Sequence, residues 1–104
     1  MSPRSIGFVT AAVLRAVADG HRYGADIVDA TDVGSGSVYK VLRRLERRGH
    51  VTGRWEDPEV AEAERRPRRR YYELTPAGHR VMEEALERFR ELGSAADRLA
   101  EGRG

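Results

Sequence analysis

The stretch from Gly36 to Arg48 constrains the fold most, because it sorts apolar and basic residues onto opposite faces of one helix. At about 100° per residue, Val38, Val41, Leu42 and Leu45 fall together, while Gly36, Lys40, Arg43 and Arg47 fall opposite them. Ser37, Tyr39 and Arg44 lie at the flanks of the second face. Such a helix has to bury one side against other elements and leaves the other free to bind. Ser35 reads as its N-cap and Gly49 as its stop, with arginines near the negative end of its dipole.

The elements around it follow from periodicity. Ser5 to Ala18 reads as a first helix, with Phe8, Val9, Ala12, Val13, Ala16 and Val17 recurring at spacings of three and four, stopped by Asp19-Gly20. Tyr23 to Thr31 offers a short second helix with Ile27 and Val28 turned inward. After Gly49 the pattern becomes extended over His50 to Glu56 and Arg69 to Leu74. An antiparallel pair of these stretches puts Val51, Trp55, Tyr72 and Leu74 toward the helices, with Tyr71 on the other face. The connection from Asp57 to Arg68 contains Pro58 and Pro67 and reads as a mobile tip, in which Glu59, Glu62 and Glu64 screen or fold back on the neighbouring arginines. Thr75-Pro76 then opens a last helix, threonine as N-cap and proline where its missing N–H costs nothing. That helix is expected to reach about Glu91, with Gly93-Ser94 as a point of interruption. Met82, Ala85, Phe89, Leu92, Ala96 and Leu99 alternate spacings of three and four along it, like a coiled-coil seam.

Composition narrows the function. A chain of 104 residues fits one compact unit, and the absence of cysteine excludes disulfides and thiolate-bound zinc. The amino terminus shows neither a signal-peptide run nor an apolar membrane span, so a soluble cytoplasmic protein is expected. Net charge is only +2. Its distribution is uneven: Lys40, Arg43, Arg44, Arg47, Arg48 and Arg54 face Glu46 alone between Ser35 and Arg54, and Arg65, Arg66, Arg68, Arg69 and Arg70 follow. In a chain this rich in arginine a basic run is by itself ordinary solvated surface, so position carries the argument. An enzyme is not expected. His21, His50 and His79 lack metal-ligand spacing, Gly34-Ser35-Gly36-Ser37 lacks the lysine of a phosphate loop, and no catalytic residue, metal or cofactor is assigned.

The order helix-helix-helix-strand-strand-helix is that of a winged helix-turn-helix, a mainly α fold (α+β). In such motifs the amino-terminal half of the third helix enters the major groove of double-stranded DNA. Ser35, Gly36, Ser37, Tyr39, Lys40 and Arg43 occupy that half, whereas Arg44 and Arg47 suit phosphate oxygens. Arg65, Arg66, Arg68 and Arg69 lie at or near the wing tip, where they reach backbone or the minor groove. The organisation expected is a DNA-binding domain over residues 1–75, a dimerisation helix over 76–100 through Met82, Ala85, Phe89, Leu92, Ala96 and Leu99, and a flexible tail over 101–104. Packing of that seam onto the first helix is its alternative. The rival function is a winged-helix module whose basic face meets an acidic protein.

The residues resemble the PadR family of bacterial transcriptional regulators over roughly Ile6 to Phe89. The matching pieces are Gly20-His21-Arg22-Tyr23-Gly24, then Ser37-Val38-Tyr39 with Leu42, Arg44-Leu45-Glu46 and Gly49, then Arg69-Arg70-Tyr71-Tyr72-Glu73-Leu74-Thr75 followed by Gly78. The resemblance implies a homodimer with paired C-terminal helices, a palindromic operator, and repression relieved by a small-molecule effector or another signal. The chain departs from the family's drug binders in its short C-terminal region, which carries no tryptophan.

Overall fold

In the computed structural model, residues 6–102 are described. Three helices come first: α1 (Phe8–Ala18), α2 (Gly24–Thr31) and α3 (Ser35–Arg47). Strand β1 (Val51–Trp55), a short helix α4 (Pro58–Ala63) and strand β2 (Arg70–Leu74) follow, and α5 (Pro76–Gly102) ends the chain. The mainly α winged helix-turn-helix order expected from the sequence is present, with α4 added between the strands.

The apolar faces of α1 to α3 enclose one core. Val13, Leu14, Ile27, Val38, Leu42, Leu45 and Val51 are its most buried members, and Tyr72 and Met82 close it from β2 and α5. Phe8, expected on the inward face of α1, is instead 69% exposed. It lies at the first turn, past the edge of that core, where its ring meets Phe89 of α5 edge-on at 5.7 Å.

Local chemistry sets the end of α3 and the start of α5. α3 begins one residue earlier than its sequence pattern suggests, so Gly34 is the N-cap and Ser35 the first helical residue, and no side chain caps that end. At the other end Gly49 adopts φ +76°, a conformation that costs little without a Cβ, and the amides of Gly49 and His50 return to the carbonyls of Glu46 and Leu45. Thr75 caps α5 through its hydroxyl, which accepts from the Gly78 amide at 3.0 Å and donates to the Gly49 carbonyl at 2.6 Å. One threonine thereby ties the end of α3 to the start of α5.

β1 and β2 pair antiparallel, with Val51 opposite Leu74, Gly53 opposite Tyr72 and Trp55 opposite Arg70. The Arg22 carbonyl accepts from the Tyr72 amide at 2.7 Å and Tyr23 bridges Tyr71, so the segment before α2 lies along β2. Val51 and Tyr72 are buried as their strand face requires, but Trp55 on the same face is 55% exposed, which corrects its assignment to the core. At that end of the face the Trp55 ring lies beside the Arg68 and Arg70 guanidinium groups rather than within the buried cluster.

The connection is folded rather than a mobile tip. Asp57 caps α4 by accepting from the Glu59 amide at 2.9 Å, Pro58 takes the first helical position, and Ala61 is buried. α5 continues without a break through Gly93-Ser94 and includes Glu101 and Gly102. Residues 103 and 104, like the start expected for α1 at Ser5, lie outside the described residues. No helix among the described residues is long and apolar enough to cross a membrane.

Candidate nucleic-acid interface

The free face of α3 is assembled as its spacing requires. Val38, Val41, Leu42 and Leu45 are buried, and Ser35, Gly36, Ser37, Tyr39, Lys40, Arg43 and Arg47 are exposed. Lys40, Arg43 and Arg47 have no carboxylate within ion-pair distance among the described residues, so their charges are open to an outside anion. Gly36 leaves open space where a Cβ would stand, and with Ser35 and Ser37 it keeps the amino-terminal turn low enough for close approach. Arg44 is half-buried and turned toward the start of α1, beside Ile6, Gly7 and Thr10.

Tyr39 has a second duty. Its ring lies over Gly24, where a Cβ would stand 2.3 Å from the Tyr39 ring carbon. Gly24 seats the start of α2 against α3 through this contact.

Glu46 would oppose DNA phosphates, since it borders the same shallow hollow as Arg43 and Arg47. It is neutralised from the wing: Arg70 donates to it at 2.5 Å, and that bond raises the Arg70 pKa above its ordinary value. Arg70 reaches α3 by lying flat across Gly53, where a Cβ would meet its terminal nitrogen at 2.8 Å.

The wing is organised by a carboxylate that periodicity did not single out. Glu56 is 5% exposed and accepts both terminal nitrogens of Arg66, at 2.7 and 2.8 Å, together with the Arg69 amide at 3.2 Å and the Tyr71 hydroxyl at 3.1 Å. The Arg66 bonds dominate in pulling its pKa down to about 2, against burial, which acts the other way. The backbone of Glu56 adds a bond from the Arg68 guanidinium at 2.9 Å and one to the Arg69 carbonyl at 2.8 Å. The signal in the sequence was weak: an acid beside an aromatic at a strand end, nine residues before an arginine run.

The wing arginines therefore divide. Arg66 is turned inward onto Glu56 and Glu64 and does not stand free at the tip. Glu64 is the one acid of the expected trio that meets an arginine among the described residues, at 3.1 Å. Arg65 and Arg68 are exposed, and Arg65 holds φ +54° at the end of α4, where glycine is usual. Arg69 is half-buried, its guanidinium 4.0 Å above the Tyr23 ring.

The expected dimer seam is also split. Met82 and Ala85 are buried within this chain's own core, Phe89 is half-covered by Phe8, and Leu92, Ala96 and Leu99 are exposed. The first two are core residues because α5 packs on α1 before it leaves the globular body.

This architecture, three helices with a hairpin wing and a basic third helix, is that of a winged-helix DNA-binding regulator. Residues 13–84 match the model of the transcriptional regulator PadR-like family, and the chain belongs to that family. No curated protein matches it. Among solved structures it is similar to BpsR of Bordetella bronchiseptica, a protein whose DNA binding is regulated by 6-hydroxynicotinic acid. That likeness has a TM-score of 0.71 at 25% identity and covers 96% of this chain and 76% of BpsR. A PadR family regulator of Clostridium difficile aligns with a TM-score of 0.77 at 18% identity over 90% of this chain and 99% of its own. A PadR-like regulator of Bacillus cereus gives 0.71 at 21% identity over 88% and 89%. The family comprises transcription regulators, and the chain is a DNA-binding regulator rather than an enzyme.

Proposed function

We propose that this protein is a homodimeric repressor that reads operator DNA with α3 of each subunit in successive major grooves. The observation that carries the reading is the row Lys40, Arg43 and Arg47, exposed and without an ion pair among the described residues, on the face of α3 opposite its core, above the small residues Ser35, Gly36 and Ser37. Lys40 and Arg43, with Ser35, Gly36, Ser37 and Tyr39, are assigned to base edges and the adjoining backbone, and Arg47 to phosphate. Arg44 reaches phosphate only from the α1 side of the helix. On the wing, Arg65, Arg68 and Arg69 supply backbone contacts, while Arg66 shapes the wing instead.

Residues up to Thr75 form the DNA-binding unit. α5 contributes Met82 and Ala85 to it and then extends Leu92, Ala96 and Leu99, with Phe8 and Phe89 at their base, toward a second subunit. Release by a small-molecule effector is supported by the likeness to BpsR, which responds to 6-hydroxynicotinic acid.

The test is selection of bound fragments from the source genome, followed by titration of the selected and random duplexes. Lys40→Ala or Arg43→Ala is expected to reduce discrimination between them, by about 1–3 kcal/mol for each base pairing removed. An equal loss on both duplexes would move these residues to phosphate contacts. No binding to either duplex at low or moderate salt would favour an acidic protein as the partner of this face.

A further inference from the structure

We propose that Trp55 is a DNA-contacting residue of the wing, its indole laid against the deoxyribose and phosphate of the strand bordering the groove that α3 enters. The proposal rests on the reading of α3 as the DNA-binding helix.

Three observations carry it. The first is exposure without need: Trp55 stands 55% exposed at the end of β1, although it shares a strand face with the buried Val51 and pairs with Arg70. A large aromatic ring half open to solvent at a strand end offers an apolar face to a partner. The second is its setting. The Arg68 and Arg70 guanidinium groups lie 5.7 and 5.3 Å from the ring centre, and their other bonds hold them there, Arg68 to the Glu56 carbonyl and Arg70 to Glu46. The Arg70 charge is matched by Glu46, whereas Arg68 bonds only a neutral carbonyl and keeps its charge for an outside anion. An aromatic ring with such a guanidinium at its edge matches a sugar-phosphate strand, which offers an apolar ring and an anion side by side.

The third observation is position. Arg70 touches both Trp55 and Glu46, and Glu46 shares its hollow with Arg43 and Arg47. Trp55 is therefore continuous with the basic face of α3, on the side of the hairpin that looks toward that helix. A duplex lying along α3 would meet Trp55 on its flank.

The sole tryptophan of the chain makes the test direct. The protein is titrated into fluorescein-labelled random duplex at low salt while anisotropy of the label reports binding, and unlabelled duplex is titrated into the protein in parallel while tryptophan emission reports the environment of Trp55. Emission is expected to shift or quench in step with anisotropy. Saturating anisotropy with unchanged emission overturns the proposal and leaves the DNA-binding reading standing. No rise in anisotropy overturns both. Emission that changes on dilution of the DNA-free protein but not on DNA addition assigns the ring to a contact between copies, and likewise overturns it. Trp55→Ala is expected to bind duplex roughly tenfold more weakly with an unchanged salt slope, since no charge is removed. Trp55→Phe is expected to keep most of the affinity. Circular dichroism checks that both variants fold, and undiminished affinity of Trp55→Ala sinks the idea.

Discussion

Arg70 on β2 donates to Glu46 on α3 at 2.5 Å, so the wing and the third helix are joined by one ion pair. The link also masks the one acid on α3. Removing Arg70 uncovers a carboxylate beside Arg43 and Arg47, where phosphate is expected to approach. Arg70→Ala should therefore weaken DNA binding, and adding Glu46→Ala should restore part of the loss. The stability cost of the single variant in urea is expected to be only about 1 kcal/mol, as for a partly exposed pair. A double variant that binds no better than Arg70→Ala would separate the pair from DNA affinity.

Glu56 gives the wing a defined acid dependence. Its pKa is lowered from 4.5 to about 2, chiefly by the Arg66 hydrogen bonds, so the folded state holds the charged form more strongly than the unfolded chain does. The resulting stability is full above about pH 4.5 and is lost as pH falls toward 2. Glu56→Gln should be less stable than the native chain at neutral pH, and the gap should close across that window. Urea midpoints for both proteins between pH 2 and 7, roughly the range the linkage relation requires, provide the check. A gap that stays constant with pH would mean that the carboxylate charge contributes nothing.

Two glycines should respond differently to one added methyl. At Gly78 a Cβ would lie 1.9 Å from the backbone carbonyl oxygen of His50, which is fixed by its bond from the Thr75 amide. At Gly24 it would meet the outer ring atoms of Tyr39, which can swing aside. Gly78→Ala is expected to cost about 3 kcal/mol or more, and Gly24→Ala about 1–2 kcal/mol. Urea unfolding of the two variants side by side tests the order, and equal costs would contradict it.

The helices were legible in the sequence because their signals are local. The apolar spacing of Val38, Val41, Leu42 and Leu45 places α3 without reference to the rest of the chain, and Thr75-Pro76 marks the start of α5 in the same way. What escaped was set by partners far along the chain or by the extent of the body beneath. Trp55 obeys its strand's alternation, yet its ring lies beside Arg68 and Arg70 rather than within the buried cluster. Met82 and Leu92 belong to one apolar stripe, but only the first has α1 to pack against. Arg66 is indistinguishable in sequence from Arg65 and Arg68, and its inward turn depends on the buried Glu56. The expectation of a mobile tip failed for the same reason, because that connection is anchored by the buried Glu56, whose arginine partner lies ten residues away.

That division of the wing is measurable in salt. Replacing Arg65 or Arg68 by alanine should lower the slope of log affinity against log salt by about one unit for each phosphate no longer neutralised, with little change in stability. Arg66→Ala should leave the slope nearly unchanged, because Arg66 meets Glu56 and Glu64 rather than phosphate, and should loosen the wing, read as faster proteolysis between Glu56 and Arg70. A slope change for Arg66→Ala equal to that for Arg68→Ala, without faster cleavage, would return Arg66 to the free tip.

α5 changes its role along its length, and substitutions on its two halves should separate. Met82 is 5% exposed inside the core, whereas Leu92 and Leu99 are 62% and 72% exposed on the part that extends beyond it. Truncating Met82 to alanine removes buried apolar volume and is expected to cost about 2–4 kcal/mol of folding stability. Leu92→Glu together with Leu99→Glu disturbs no core packing, so the subunit should stay folded by circular dichroism. If these leucines meet a second copy, the charged pair should shift sedimentation from dimer to monomer, because like carboxylates would face each other across a two-fold axis. DNA affinity should then fall steeply, since each half-site would be bound without its neighbour. A variant that stays dimeric would place the subunit contact elsewhere, leaving Phe8 and Phe89 as the next residues to replace.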